Sequence, residues 1–168
     1  MFEHDQHRRR RAAGGAGGLA LAVALALGAA GPAAAGDLAG PEFAAGPGFA
    51  LDASIRQTGY RNGAAVDQHG QHEAARLIQS GTGNRADVRQ SGQDNTAVLR
   101  QQGYDNVASI DQRGMANVAN VEQYGAGRVA QIEQFGNGNR VNLVQGPNAP
   151  NIAVRQHGDG NVATLIQH

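Results

Sequence analysis

The sequence predicts an all-β fold: a β-solenoid of five 22-residue strand-turn-strand rungs plus an extra N-terminal strand. Two facing parallel sheets would enclose a thin core of Ala, Val, Leu and Gln. Three observations carry this. Gln recurs at 57, 68, 79, 90, 101, 112, 123, 134, 145, 156 and 167, every step eleven residues. Two places before each Gln stands Ile, Val or Leu, and four places before it stands Ala in nine of the eleven units, with Val141 and Ile152 as exceptions. These positions share one parity, so on a strand they point to one face, and the residues between them are mostly polar.

An eleven-residue period also suits a right-handed coiled coil. Two features exclude it. The apolar residues recur at spacing 2, not at 3 and 4. Gly stands two places after most of the Gln, often with Asn three places further on, and such residues would break a helix every three turns. GxxN between alternating runs is a turn signal, in which Gly and Asn are expected to supply positive φ.

Alternate units fall into two sets, which makes the structural unit 22 residues long. Ile55, Leu77, Leu99, Val121, Leu143 and Leu165 are mostly Leu, whereas Val66, Val88, Ile110, Ile132 and Val154 are all β-branched. The turns divide in the same way. Gly70, Gly92, Gly114, Gly136 and Gly158 follow the second set, with Asn95, Asn117, Asn139 and Asn161 at the matching place and Glu73 as the exception. After the first set the turn decays to GAGR at 125–128 and GPNAP at 146–150.

No rung of this kind could bury its inner face alone. Stacking supplies the core, each rung pairing with the one below at about 4.8 Å. Two Gln ladders follow: Gln57, Gln79, Gln101, Gln123, Gln145 and Gln167 on one side, and Gln68, Gln90, Gln112, Gln134 and Gln156 on the other. A buried amide without partners costs about 1–3 kcal/mol. A stacked amide donates to one neighbour and accepts from the other, so the ladder offsets that cost and specifies register. The outward column Asp67, Arg89, Asp111, Glu133 and Arg155 mixes signs and leaves only the Asp111–Glu133 step repulsive.

Composition agrees with a thin core of small side chains. The 168 residues include no Cys, Trp or Lys, 25 Gly, 3 Tyr and 4 Phe. Without Cys there is neither a disulfide framework nor a thiol nucleophile. The formal net charge is zero, which argues against a nucleic-acid footprint.

Three segments are expected. Residues 1–35 read as a signal peptide: Arg8 to Arg11, then the apolar run Leu19–Ala30, then Ala33-Ala34-Ala35 as an A-x-A cleavage site. The run falls short of the roughly 18 apolar residues a spanning helix needs. Residues 36–52 form a flexible Gly, Ala and Pro leader. Residues 53–168 are the repeat domain. The mature chain would carry 10 Arg against 12 Asp and Glu, a net charge of −2.

The 22-residue unit resembles the curlin repeat of bacterial curli fibre subunits, Q-x-G-x-x-N-x-A-x3-Q. QSGQDNTAVLRQ (90–101), QRGMANVANVEQ (112–123) and QHGDGNVATLIQ (156–167) match it throughout. QHGQHEAARLIQ (68–79) has Glu73 for Asn, and QFGNGNRVNLVQ (134–145) has Val141 for Ala. Where the family often has Ser six places before the first Gln, this chain has Asn62, Asn84 and Asn106, then Arg128 and Pro150. The resemblance implies a secreted subunit of extracellular amyloid fibres in the biofilm matrix, serving adhesion and aggregation. Its implied partners are copies of itself, a homologous fibre subunit, a curli-type secretion channel with accessory proteins, and the cell surface or host matrix. It implies no cofactor, and the leader would hold the export-targeting segment. The family has a major, fibre-forming subunit and a minor, nucleating one; the near-neutral repeats lean to the major type.

The physics of the ends points the same way. Stacked solenoids end in unpaired strand edges, which natural proteins cap or charge. Ala53, Ile55 and Gln57 at one end, and Ala163, Leu165 and Gln167 at the other, repeat the inward pattern of the middle. Neither end has a capping helix or a charged block. These are the expected polymerisation edges. A monomeric β-solenoid adhesin is the competing reading. Enzyme chemistry finds no convergent carboxylates, and ice binding finds no regular Thr array. His69 and His72 form a lone pair in a turn, where solvation is the rule rather than metal ligation. Tyr60, Tyr104, Tyr124 and Phe135 sit at turn positions suited to packing or to a carbohydrate or dye platform. Pro147 and Pro150 interrupt one turn as candidate gatekeepers.

Overall fold

The computed structural model describes residues 19–26, 33–34 and 50–168. The sequence readings on residues 1–18, 27–32 and 35–49 lie outside the described residues. The repeat domain consists of eleven strands: β3 Leu51–Tyr60, β4 Gly63–Gln71, β5 Glu73–Thr82, β6 Arg85–Gln93, β7 Thr96–Tyr104, β8 Val107–Met115, β9 Val118–Ala126, β10 Val129–Asn137, β11 Arg140–Gln145, β12 Ile152–His157 and β13 Val162–Gln167. They are preceded by β1 Leu19–Ala26 and β2 Ala33–Ala34.

The strands alternate between two sheets. One has the order β1-β4-β6-β8-β10-β12 and the other β13-β11-β9-β7-β5-β3-β2. All pairings among β3 to β13 are parallel, and each residue lies opposite the one 22 further on: Leu77 on Leu99, Ile110 on Ile132, Gln90 on Gln112. The chain is therefore a β-solenoid of about five turns with a 22-residue pitch, as its periodicity predicts.

Parity decides burial. Along β8 the burial alternates strictly from Ala108 to Gln112, with Ala108, Ile110 and Gln112 inside. The core is one cluster running from Ile55 and Ala64 to Val141 and Leu143, with Ala53, Ile152, Val154, Ala163 and Leu165 half-buried at its two ends. Each rung adds only one Ala and one branched aliphatic per strand. The neighbours above and below complete the burial, at roughly 1.5–3 kcal/mol for each fully buried aliphatic side chain.

The turns correct one expectation. Asn does not supply positive φ. Each regular turn has Gly at positive φ two places after Gln, as at Gly92 (131°), and a second positive-φ residue four places after it: Arg61, His72, Asp94, Asp105 or Ala116, or a Gly such as Gly83. Asn comes next, outside the left-handed region, and points inward. The left-handed residue reverses the chain one step earlier, leaving Asn free to bond along the stack.

The N-terminal end also differs from the expected open edge. In the whole chain β1 pairs antiparallel with β4 over eight residues, Leu19 opposite Gly70 through Ala26 opposite Gly63. β2 pairs antiparallel with β3, Ala33 opposite Gln57 and Ala34 opposite Arg56. An exposed parallel edge offers a row of unpaired backbone groups, and LALAVALA, uncharged and free of Pro, has the composition to fill it. Beyond β12 and β13 no further strand pairs among the described residues.

Candidate functional site

The groups that continue the stack are polar side chains inside it. Gln57, Gln79, Gln101 and Gln123 each donate Nε2–H to the Oε1 of the Gln 22 residues on, and Gln68, Gln90, Gln112 and Gln134 do the same in the facing sheet, at 2.6–2.9 Å. The second Nε2–H crosses the core to a backbone carbonyl 16 residues earlier, as from Gln101 to Arg85 O at 3.0 Å and from Gln112 to Thr96 O at 3.1 Å. Each interior Gln thus spends both donors and an acceptor. It ties rung to rung and sheet to sheet.

All the Gln ladder donors point the same way, towards the C-terminal end. The step from Gln145 to Gln167 is not made. The strands still pair there, but Gln145 Nε2 donates to Pro150 O at 2.8 Å and to Val129 O at 3.3 Å, and Gln167 Oε1 has no partner. The GPNAP turn pulls its own carbonyl into the place of the ladder acceptor. Arg128 also donates Nη1–H to Ala149 O, fixing the same turn from below.

Buried Asn columns form a second set of ladders that sequence reasoning missed. Asn84 and Asn106, and Asn117, Asn139 and Asn161, each donate both backbone N–H and Nδ2–H to the Oδ1 of the Asn one rung below. The Nδ2 groups of Asn62, Asn84, Asn95, Asn106, Asn117 and Asn139 also donate upwards to the turn glycine of the next rung, as from Asn95 to Gly114 O at 3.0 Å and from Asn139 to Gly158 O at 2.7 Å. The signal was present in the sequence: Asn occupies the same parity as Gln. Its turn-forming reputation obscured this.

The glycines explain how close the rungs come. A Cβ on Gly92 would lie 1.9 Å from Gly114 O, and one on Gly103 would lie 1.9 Å from Gly125 O. Stacked turns touch backbone to backbone, and only Gly permits that. At Gly158, on the last rung, a Cβ would meet nothing closer than Asn161 Nδ2 at 3.9 Å.

Glu73 occupies an Asn position and is fully buried. Its Oε1 accepts from Asn95 Nδ2 at 3.1 Å, while Oε2 is buried without a partner. Burial pushes its carboxyl up to about 7, opposed by the Asn95 hydrogen bonds and reinforced by nearby Asp94.

Outside the core the columns are laterally satisfied. Asp111 pairs with Arg113 at 2.9 Å and Glu133 with Arg155 at 2.9 Å, which relieves the Asp111–Glu133 repulsion. His69 lies 3.1 Å from Asp67 and His72 3.5 Å from Asp94, in separate exposed pairs. Among the described residues no group of three or more His, Cys, Asp or Glu is placed to hold a metal. Phe135 packs in its column between the Arg113 guanidinium and the His157 ring, at 5.1 and 5.0 Å. Tyr60 and Tyr104 stay exposed.

The described residues thus form a parallel solenoid tied rung to rung by buried Gln and Asn ladders. The curlin associated repeat model matches residues 50–92, 74–103 and 92–125, which supports membership of the curlin family, a family of structural fibre subunits. No curated protein and no solved structure matches the chain.

Proposed function

We propose that the chain is exported, loses residues 1–35, and polymerises rung on rung into an extracellular fibre that serves adhesion and aggregation in a biofilm matrix. The observation that carries this is the state of the ends. Gln68 Oε1 has no partner even in the whole chain, where β1 pairs over β4, and at the other end Gln156 and Asn161 donate only to groups beside or below them. These are the groups each interior rung uses to hold its neighbour. Removal of residues 1–35 takes away β1 and β2, leaving the edges of β3 and β4 for another copy. Ala53, Ile55 and Gln57 then face Ala163, Leu165 or their counterparts as polymerisation edges. The near-neutral repeats favour the major, fibre-forming role over nucleation, and by family likeness a secretion channel and a homologous subunit are the partners. Residues 36–168, diluted from denaturant, should give sigmoidal thioflavin fluorescence and a sedimenting product. A folded product that stays monomeric at every concentration would instead favour a solenoid adhesin.

A further inference from the structure

The repeat domain has an odd number of strands. Of β3 to β13, six lie in one sheet and five in the other, and β3 and β13 belong to the same sheet. Successive strands climb half a rung, so the coil is five and a half rungs tall. Consider a second copy placed on the C-terminal end in the same orientation. Its β3 would cover β13, but its β4 would stand two rungs above β12, with no strand between them. Rotating the copy by half a turn about the stacking axis closes the gap: its β3 continues the five-stranded sheet on β12, and its β4 continues the six-stranded sheet on β13.

We propose that successive subunits in the fibre are related by a rotation near 180°, dictated by the odd strand count. This rests on the head-to-tail stacking proposed above and adds its orientation. Two observations favour it. The first is Gln68 Oε1, buried and without a partner. Since every Gln ladder donor points towards the C-terminal end, it needs a Gln Nε2 one rung below. The rotated stack puts Gln167 of β13 there, whereas the unrotated stack puts nothing there.

The second observation is the unequal quality of the last two turns. The turn at 157–161 keeps Gly158, Asp159 and Asn161, while the one at 146–150 has become GPNAP. In the rotated stack the turn 58–62 of the next copy lies on 157–161. Asn161 Nδ2 then meets Gly59 O, and Asn161 Oδ1 accepts from Asn62, as each Asn does within the chain. The 146–150 turn lies below the break between chains, where no turn has to stack on it. In the unrotated stack neither turn is covered, and the difference has no cause.

Side-chain matching is neutral: rotation puts β-branched Ile55 on Val154 of the β-branched column but β-branched Val66 on Leu165 of the mostly Leu column. It also stacks Arg56 on Arg155, which is exposed and already paired with Glu133 at 2.9 Å. The whole chain shows that both positions accept a strand together, since β1 and β2 occupy them.

The chain has no Cys, so introduced cysteines report contacts cleanly. The described core lies within residues 53–165, so residues 36–168 retain all of it. Fibres of two variants of residues 36–168 are oxidised and run without reductant. The rotated stack puts Ser54 over Ala153, and the unrotated stack puts it over Thr164; adjacent strands lie about 4.8 Å apart, within disulfide reach. Ser54→Cys/Ala153→Cys should give covalent multimers and Ser54→Cys/Thr164→Cys should stay monomeric. The subunit rise in fibre images should be about 26 Å with near-180° rotation, against about 29 Å with little rotation for the unrotated stack. Multimers only from the Thr164 pair, or the longer rise, would overturn the rotation and leave rung stacking intact. Fibres in which neither pair cross-links overturn the rotation, and no fibres at all overturn both it and the polymerisation reading.

Discussion

The middle rungs and the last rung are built from the same residues and differ in what those residues achieve. In the middle, Gln101 accepts from Gln79, donates to Gln123 and crosses to Arg85 O, and the aliphatic beneath it is fully buried. On the last rung Val154 and Leu165 are half-buried, Gln156 Nε2 donates to Arg140 O with no Gln acceptor above it, and Asn161 Nδ2 donates to Asn139 Oδ1 and His157 O with no glycine carbonyl above it. The strand sequence does not make a rung stable. Its neighbours do, and the energy of a repeat protein lies largely in such interfaces. A terminal rung is a middle rung that lacks one neighbour.

The turn glycines give the sharpest way to break this comparison. Gly92→Ala forces a Cβ against Gly114 O at φ 131°, and we expect a loss above about 3 kcal/mol, enough to abolish the soluble fold and its assembly. Gly158→Ala has open space above it, and in the monomer it should cost only about 1 kcal/mol for its positive φ. Its fibres should nonetheless grow poorly, because the next copy supplies the missing carbonyl. Equal monomer unfolding midpoints for the two variants in urea would contradict the account.

Gln substitutions form the next step down. Gln101→Leu leaves one Gln79 Nε2–H and Gln123 Oε1 buried without a partner, while the other Gln79 Nε2–H keeps Gly63 O, a cost of about 2–4 kcal/mol. Gln156→Leu breaks a single ladder bond, from Gln134, and should cost about 1 kcal/mol. Denaturant melts of both variants under non-assembling conditions check the ratio.

Glu73 tests the comparison through pH. Burial holds its folded pKa at about 7, above the ordinary value of 4.5. The stability linked to its protonation is therefore fully present below about 4.5 and is lost as pH rises through about 7. Stability and assembly rate should fall over that window. Glu73→Asn restores the Asn column and should flatten the profile, raising stability at pH 8 by roughly 1–3 kcal/mol. A variant whose pH profile matches that of the parent would remove Glu73 from the explanation. The smallest effect is expected from Pro147→Gly/Pro150→Asn, which restores donors in the last irregular turn and should shorten the assembly lag severalfold with little change in monomer stability. An unchanged lag would end the gatekeeper idea.

Much of this was readable in the sequence because a solenoid makes local pattern and global fold the same thing. Spacing 2 set the inward face, spacing 22 set the register, and Gln had to ladder because it shared parity with the aliphatics. The misses share a cause. Asn95 and its column looked like turn formers, and their inward bonds depend on Asp94 or its equivalents taking the left-handed conformation one place earlier, which many residue types do here. The failed Gln145–Gln167 step depends on where Pro150 places its carbonyl, and no repeat pattern encodes that. The covered N-terminal edge was missed because Leu19–Ala26 was read for export alone. Its composition serves an apolar export segment and a β-strand equally well.

Fibre diffraction from aligned residues 36–168 tests the central claim most directly. If rungs continue from one copy to the next, a meridional reflection near 4.7–4.8 Å and an equatorial one near about 10 Å should appear together. Assemblies that scatter without the meridional reflection, made of folded monomers touching through their faces, would contradict it.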